Sequence, residues 1–265
     1  MTIRHLIIGC GGTIIFSFLG VLKKLGPLDT LEAISCSSTG SIIGLFYVFT
    51  KGDIDRMLHM ALEAPLDKLA HIDVKVFLSK FGLINTRNFE KYIDSLCSLT
   101  FKELYEHNPI KLHIATYNLM TDKTIYMSVD TTPDMKVSHA VRRSISVPLV
   151  MMPCFVPGEG SVFVDGSFAE VSPYQVFLGK TDVLEIRYMA SPKPKKFPRT
   201  LVEYVYTIVF SFLTCRVEYN DFPRIDIESD LNVLDFSLST EKKMELYVDG
   251  LKNNIHASFY VMNSF

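Results

Sequence analysis

Residues 33–41, AISCSSTGS, are the stretch that decides the fold. The apolar run that ends at Cys36 predicts a short strand, the small residues after it predict a tight turn, and the apolar residues after Ser41 predict a helix. A strand, a tight turn and a helix place the Ser38 hydroxyl on the turn, where it can point into a cleft. Ser38 is therefore the candidate nucleophile.

The same order of elements occurs once before. Residues 6–8 predict a buried strand, and the glycine-rich turn GCGGT at residues 9–13 leads into an apolar helix. Backbone N–H groups at the start of a helix point outward, and the positive end of the helix dipole favours negative charge there. The candidate donors to an oxyanion are therefore the N–H groups of Gly11, Gly12 and Thr13.

Asp165 follows another short apolar run, in SVFVDGS at residues 161–167. A neutral serine needs a neighbouring base to take its proton as it attacks. None of the seven histidines lies in a context typical of a triad base. A carboxylate close to the hydroxyl and partly desolvated has a pKa raised toward the working range. Asp165 is therefore the candidate base, and the two residues indicate acyl transfer.

The rest of the chain continues to alternate strands and helices. Residues 52–108 are predicted to be mostly helical. Further strands are predicted at 112–116, 124–128, 161–165 and 183–188, and further helices at 137–144, 201–215 and 241–251. This alternation predicts an α/β fold with a mostly parallel central sheet covered on both faces. We expect one three-layer α/β/α domain spanning residues 1–265, with residues 52–108 as a helical insert.

Composition and charge exclude several classes of protein. A formal net charge of −2 argues against nucleic acid as the main partner. The five scattered cysteines include no C-x-x-C pair, which argues against a disulfide framework and a structural zinc site and favours a reducing compartment. No acidic loop has EF-hand spacing, and no metal or organic cofactor is expected.

The chain shows no signal peptide and no apolar stretch approaching the ~20 residues that span a bilayer. We therefore expect a cytoplasmic protein. The basic, proline-rich residues 191–199, followed by an apolar helix, are compatible with a peripheral contact to an anionic membrane. A solvated loop and a core helix are the plainer interpretation of the same residues.

Taken in order, four blocks resemble the patatin-like phospholipase family. They are Gly11-Gly12 with GVLK at residues 20–23, the serine turn at residues 34–41, AVRRSISVP at residues 140–148, and VDGS at residues 164–167 with Pro173 beyond. Residues 6–50 and 111–175 carry the resemblance, and the helical insert and C-terminus match loosely. Four blocks in the correct order are more specific than any one of them.

This resemblance implies a patatin-like fold and a serine acyl hydrolase of the phospholipase A or lysophospholipase type. Ser38 would attack the ester of a phospholipid or another acyl-ester lipid while Asp165 takes the proton. The N–H groups of Gly11, Gly12 and Thr13 would hold the oxyanion. No metal or cofactor is implied.

The chain departs from the family pattern at several positions. Cys10 replaces the first glycine of the triple-glycine loop, and isoleucines stand where a basic residue and a glycine close that loop. A cysteine replaces the first glycine of the serine turn, and a serine replaces the second glycine after the aspartate. The two isoleucines are Ile14 and Ile15, the cysteine of the serine turn is Cys36, and the serine after the aspartate is Ser167.

Two alternatives remain open. The departures are compatible with a catalytically impaired patatin-like protein that binds lipid or a protein partner. A nicotinamide-dependent oxidoreductase would need cofactor binding at residues 9–12. This is a weak match, because the third glycine of G-x-G-x-x-G falls at Ile14.

Overall fold

A computed structural model describes residues 2–190, 197–214 and 220–253. The first fifty residues form two strand–turn–helix units, as expected. Their elements are β1 (His5–Ile8), α1 (Ile15–Leu25), β2 (Ala33–Cys36) and α2 (Thr39–Phe49). A 3-10 turn, Gly12–Ile14, joins the glycine-rich turn to α1.

Between residues 52 and 108 the chain is mostly helical, with one strand of three residues. The elements are α3 (Ile54–Glu63), α4 (Leu66–Leu69), α5 (Val74–Lys80), β3 (Gly82–Ile84), α6 (Thr86–Leu96) and α7 (Phe101–His107). Asparagine, aspartate and threonine side chains cap the first turns of several of these helices, as such residues generally do. At α7 the cap is a reciprocal pair between Thr100 and Glu103.

The second half contributes most of the remaining strands. The elements are β4 (Lys111–Asn118), β5 (Lys123–Met127), α8 (Val137–Ser144), β6 (Leu149–Met151), β7 (Cys154–Val156), β8 (Ser161–Asp165), β9 (Val183–Ala190), α9 (Leu201–Thr214), β10 (Arg224–Ser229) and α10 (Thr240–Lys252). The sequence did not predict β10, and it did not predict β3, β6 or β7, which have three residues each. Cys215 and residues 191–196 lie outside the described residues.

Within the described residues the main sheet has eight strands, in the order β10-β9-β1-β2-β4-β8-β7, with β5 also paired to β4. Five strands run parallel, from β10 to β4, while β5, β7 and β8 pair antiparallel. The predicted α/β fold with a mostly parallel sheet and helices on both sides is confirmed. Short turns join the antiparallel pairs β4–β5 and β7–β8, as a tight hairpin requires, whereas β8 returns to β4 after a long excursion.

The central strands β1 and β2 are almost fully buried, and the two turns that follow them lie at one edge of the sheet. Leu6, Ile7 and Ile8 of β1 and Ile34 and Cys36 of β2 have no exposed surface. Continuous apolar strands of this kind are typical of parallel strands covered on both faces. The carboxyl ends of β1 and β2 lead directly into the glycine-rich turn and the serine turn, which therefore meet at one edge of the sheet.

Candidate active site

Ser38 lies on the sharp turn between β2 and α2, with φ 51° and ψ −130°. A positive φ is costly for a residue with a side chain, by about 1–3 kcal/mol, and persists only where the surroundings impose it. The turn places Ser38 immediately before the first residue of α2 and leaves 7% of it exposed. The strand, turn and helix predicted around Ser38 are therefore present.

Hydrogen bonds from three elements hold this turn. The N–H of Ser38 donates to the hydroxyl of Ser144 at 2.9 Å, and that hydroxyl donates to the carbonyl oxygen of Ala115 at 2.6 Å. The hydroxyl of Ser41 donates to the carbonyl oxygen of Ser38. Ser144 is thus a positioning residue, which the sequence analysis quoted within the block at residues 140–148 without assigning it a role.

Small residues flank Ser38 because the backbone is crowded on both sides. A Cβ on Gly40 would lie 2.3 Å from the carbonyl oxygen of Ile8, so α2 can approach β1 only with glycine there. The Cys36 side chain is fully buried, and its thiol donates to the carbonyl oxygen of His113 at 3.4 Å. Burial raises the pKa of Cys36, so the thiol is neutral and packs as a small apolar group. The departure at Cys36 is therefore accommodated by packing.

Asp165 ends β8, paired with Thr116 of β4, and is completely buried. Its N–H donates to the carbonyl oxygen of Ser146 at 2.9 Å. Its Oδ1 accepts hydrogen bonds from the N–H of Ser167 at 2.8 Å and from the Ser167 hydroxyl at 2.6 Å. Serine at position 167 thus supplies a donor that a glycine could not, so this departure adds a hydrogen bond to the carboxylate.

The structure brings Asp165 and Ser38 together. Burial raises the pKa of Asp165 to about 6, and hydrogen bonds from Ser167 and Ser38 oppose that rise. Oδ2 of Asp165 is buried and has no partner in full hydrogen-bond geometry among the described residues. The carboxylate thus has one oxygen committed to Ser167 and the other open to accept a proton.

Gly166 explains why glycine follows the aspartate. A Cβ there would lie 2.3 Å from the carbonyl oxygen of Ala115 on β4. Any larger residue would push β8 away from β4 and move Asp165 with it. Glycine here sets the distance between two strands.

The glycine-rich turn carries the three backbone N–H groups that were expected to hold an oxyanion, those of Gly11, Gly12 and Thr13. Among the residues that the structure describes, the N–H groups of Gly11 and Gly12 meet no acceptor. The N–H of Thr13 instead donates to the carbonyl oxygen of Val233 at 2.8 Å. Val233 lies between β10 and α10. The Thr39 hydroxyl donates to the carbonyl oxygen of Gly12 at 3.0 Å and ties this turn to the serine turn.

Ile14 and Ile15 line two different environments. Ile14 is fully buried in the core, while Ile15 faces a cavity between α1, α2 and the helical insert. The cavity leaves about 90 Å³ for water-sized molecules and is partly open to solvent. Its wall is almost entirely apolar: Ile15, Phe16, Leu19, Ile42, Ile43, Phe46, Met57, Met60, Ala61, Ala64, Leu66, Leu69, Phe89, Tyr92, Ile93 and Leu96.

The two arginines of the 140–148 block are engaged in internal contacts. Arg142 forms an ion pair with Glu90 at 2.8 Å. Arg143 lies over the ring of Phe163, 4.3 Å from its centroid, and pairs with Glu159 at 3.5 Å. Both side chains therefore stabilise the packing of α8 in this structure. The described residues contain no group of three or more His, Cys, Asp or Glu side chains arranged to hold a metal ion.

Gly12→Ala tests the contact between the glycine-rich turn and Val233. Gly12 has φ +52°, and a Cβ there would lie 1.9 Å from the carbonyl oxygen of Val233. We expect a loss of at least about 2 kcal/mol in the free energy of unfolding, measured by urea denaturation. Gly160→Ala is the matched control, because Gly160 also has a positive φ, +59°, and a Cβ there would meet nothing within 4 Å. Equal stability of the two variants would contradict the described contact.

The sheet, the strained serine turn and the buried aspartate together define an α/β protein with a serine displayed at the carboxyl edge of a parallel sheet. Residues 6–178 match the family model described as patatin-like phospholipase, and the chain belongs to this family. Lipid acyl hydrolysis is thereby supported at the level of the family. The match includes both turns, α8 and Asp165.

A viral relative extends this comparison. An uncharacterized protein, R571 of Acanthamoeba polyphaga mimivirus, is 29% identical over 189 residues, covering 66% of this chain. The chain spans 61% of the length of that relative.

Two solved structures share the fold at low sequence identity. VipD from Legionella pneumophila has a TM-score of 0.60 and 14% identity, with 98% of this chain and 67% of VipD covered. The type III effector protein ExoU of Pseudomonas aeruginosa has a TM-score of 0.52 and 15% identity, with 98% of this chain and 53% of that chain covered. These likenesses concern the fold. The patatin-like fold predicted from the four blocks is confirmed.

Proposed function

We propose that the protein is a serine acyl hydrolase that cleaves acyl esters of lipids, with Ser38 as nucleophile and Asp165 as base. The observation that carries this proposal is the open oxygen of Asp165. A fully buried carboxylate with a pKa of about 6 lies beside Ser38 on its strained turn, and within the described residues its Oδ2 accepts no hydrogen bond of full geometry. Perturbed carboxylates beside a nucleophile are typical of catalytic sites.

In the first step the Ser38 oxygen attacks the ester carbonyl carbon, and its proton passes to Asp165. The new C–O bond converts the carbonyl into a tetrahedral oxyanion. Collapse expels the alcohol of the lipid, which takes the proton from Asp165, and leaves the acyl group on Ser38. A water molecule then attacks this ester with Asp165 again as base, releases the fatty acid, and restores both residues.

The free N–H groups of Gly11 and Gly12 are the proposed oxyanion donors. Gly11 precedes the 3-10 turn, Gly12 is its first residue, and α1 follows, so the positive end of the helix adds to their effect. Loss of one such donor generally costs about 3 kcal/mol of transition-state stabilisation. Thr13 joins them only in a conformation in which the Val233 carbonyl has moved away.

The apolar cavity supports a lipid acyl group as the part of the substrate that is bound. Ile42 lies four residues after Ser38 on α2, a rise of about 6 Å at 1.5 Å per residue. Ile15 lies three residues after Gly12. Both turns therefore lead within about one helical turn to the cavity wall. An acyl chain attached to Ser38 would lie in the cavity and be removed from water.

Ala61→Phe tests this placement of the acyl chain. Ala61 lines the cavity, and a larger side chain there reduces the space for a long chain. We expect kcat/KM for a p-nitrophenyl ester of a twelve-carbon acid to fall at least about tenfold relative to the acetate ester. The acetate ester is the internal control for folding and for the dyad. An unchanged ratio would show that the acyl chain binds elsewhere.

A second candidate function is favoured by the Val233 contact. The N–H of Thr13, one of the expected oxyanion donors, is already bound to the carbonyl oxygen of Val233. In this alternative the protein binds lipid or a protein partner and hydrolyses nothing. Incubation with mixed phospholipid vesicles distinguishes the two: released fatty acid supports the hydrolase, and vesicle binding without release supports the alternative.

The organisation of the chain is proposed on the same basis. We infer one domain over residues 1–265 with residues 52–108 as its insert, acting in the cytoplasm and contacting membranes peripherally. No helix within the described ranges is long and apolar enough to cross a bilayer. Residues 191–199, for which a membrane contact and a solvated loop were both left open, lie mostly outside those ranges.

A further inference from the structure

Helix α5 displays an exposed apolar surface that the proposed chemistry does not use. None of its residues is buried. Leu78 is 76% exposed, Val74 is 54% exposed, and Phe81, which ends the helix in a left-handed conformation, is 59% exposed. A helix that belonged to the core would bury such residues, since each apolar side chain favours removal from water.

Neighbouring elements extend this surface. The ring of Phe81 lies 6.2 Å from the ring of Phe155, and Gly82 pairs with Leu149 on β6. Together the exposed apolar side chains form what we call the α5 patch: Ile72, Val74, Leu78, Phe81, Leu149 and Phe155. Contiguous exposed apolar surface of this kind generally marks an interaction site.

Unpaired cations flank the α5 patch. Lys68, Lys75 and Lys80 are exposed and form no ion pair within the described part of the chain. Of the nearby acids, Asp73 is occupied as the cap of α5, where it accepts from the N–H of Lys75, and Asp67 lies on α4. Residues 66–81 thus carry three lysines against two aspartates, so the rim of the α5 patch has a small basic excess.

We propose that the α5 patch docks the protein onto an anionic lipid surface. The apolar side chains insert into the boundary between head groups and acyl chains, and the lysines contact the anionic head groups. The exposed apolar side chains can insert between lipid molecules, and the anionic head groups of such a surface attract the lysines. This contact is separate from residues 191–199, and it does not depend on whether Ser38 turns over.

Vesicle flotation tests this proposal on the full chain. Vesicles of ether-linked phosphatidylcholine, with or without 30% ether-linked phosphatidylglycerol, contain no acyl ester, so binding is measured independently of hydrolysis. We expect the wild type to float with the anionic vesicles. Leu78→Gln with Phe81→Asn should weaken binding at least about tenfold through lost insertion. Asparagine tolerates the left-handed conformation at position 81, so folding should be preserved.

Two further variants complete the test. Lys75→Glu with Lys80→Glu should weaken binding to anionic vesicles by about tenfold or more. Leu178→Gln is the matched control, since Leu178 is also exposed but lies outside the α5 patch. Thermal unfolding checks that each variant is folded. Failure of the wild type to float, or equal flotation of all variants, would overturn the proposal. A wild-type dimer that Leu78→Gln with Phe81→Asn converts to a monomer, without flotation, would identify a self-association surface instead.

Discussion

Ser38→Ala should lower the rate of ester hydrolysis at least about 10⁴-fold, because it removes the proposed nucleophilic oxygen beside Asp165. Steady-state release of p-nitrophenol from a short-chain ester measures this loss. The substitution removes one buried hydroxyl and leaves the hydrogen bond from the backbone at position 38 to Ser144 in place. The variant should therefore fold, and the loss is chemical.

Ser38→Gly is the companion variant that links activity to strain. Glycine adopts φ 51° and ψ −130° without the cost that a side chain incurs there. We expect Ser38→Gly to lose as much activity as Ser38→Ala and to have a free energy of unfolding about 1 kcal/mol higher than that variant. Urea denaturation of the alanine and glycine variants measures the difference. Lower stability of the glycine variant would contradict the described turn.

Asp165→Asn should lower hydrolysis by at least about 10³-fold and at the same time stabilise the protein at neutral pH. The amide can keep the two hydrogen bonds from Ser167, but it cannot accept a proton from Ser38. It also removes a buried negative charge. Stability gained as activity is lost is typical of residues strained for function.

The stabilisation depends on pH in a defined direction. Burial raises the pKa of Asp165 to about 6 from its ordinary 3.8, so the folded protein binds this proton more tightly than the unfolded chain does. The contribution of Asp165 to the free energy of unfolding of the wild type is fully present below about pH 4 and is lost as pH rises through about 6. The variant should therefore gain about 3 kcal/mol near pH 8 and almost nothing near pH 4.

Asp235→Asn is the matched control for this prediction. Asp235 accepts from the N–H and hydroxyl of Ser237, the same arrangement as at Asp165 and Ser167, but at an exposed site. The free energy of unfolding of this control variant should change by less than about 0.5 kcal/mol at either pH.

The wild-type rate of ester hydrolysis should rise with pH through about 6, as Asp165 loses its proton, and then level off. A rate independent of pH across this range would argue against Asp165 as base.

Local signals predicted most of what surrounds Ser38. The apolar strand, the small residues and the following helix are continuous in sequence, so the turn could be inferred from residues 33–41 alone. Asp165 required more, because it is 127 positions away in the chain and only the order of four blocks linked it to Ser38. The structure places the two side chains together, and their chemical roles stay a proposal.

Features made by distant contacts could not be predicted in this way. The Val233 carbonyl reaches Thr13 across 220 positions, from a loop with no distinguishing residue pattern. Ser144 acts through a backbone N–H and a carbonyl, which a list of side chains does not reveal. The α5 patch was also missed, since its apolar spacing is that of a helix packed on a core. In each case the packing around a residue decides its role.

Labelling with a fluorophosphonate, followed by mass spectrometry, tests the proposed dyad most directly. The reagent phosphonylates an activated serine and does not depend on knowing the lipid substrate. The account predicts one adduct on the wild type, located at Ser38, none on Ser38→Ala, and much slower labelling of Asp165→Asn. A folded wild type that takes up no label, or takes it up at another serine, would contradict the assignment of Ser38 and Asp165.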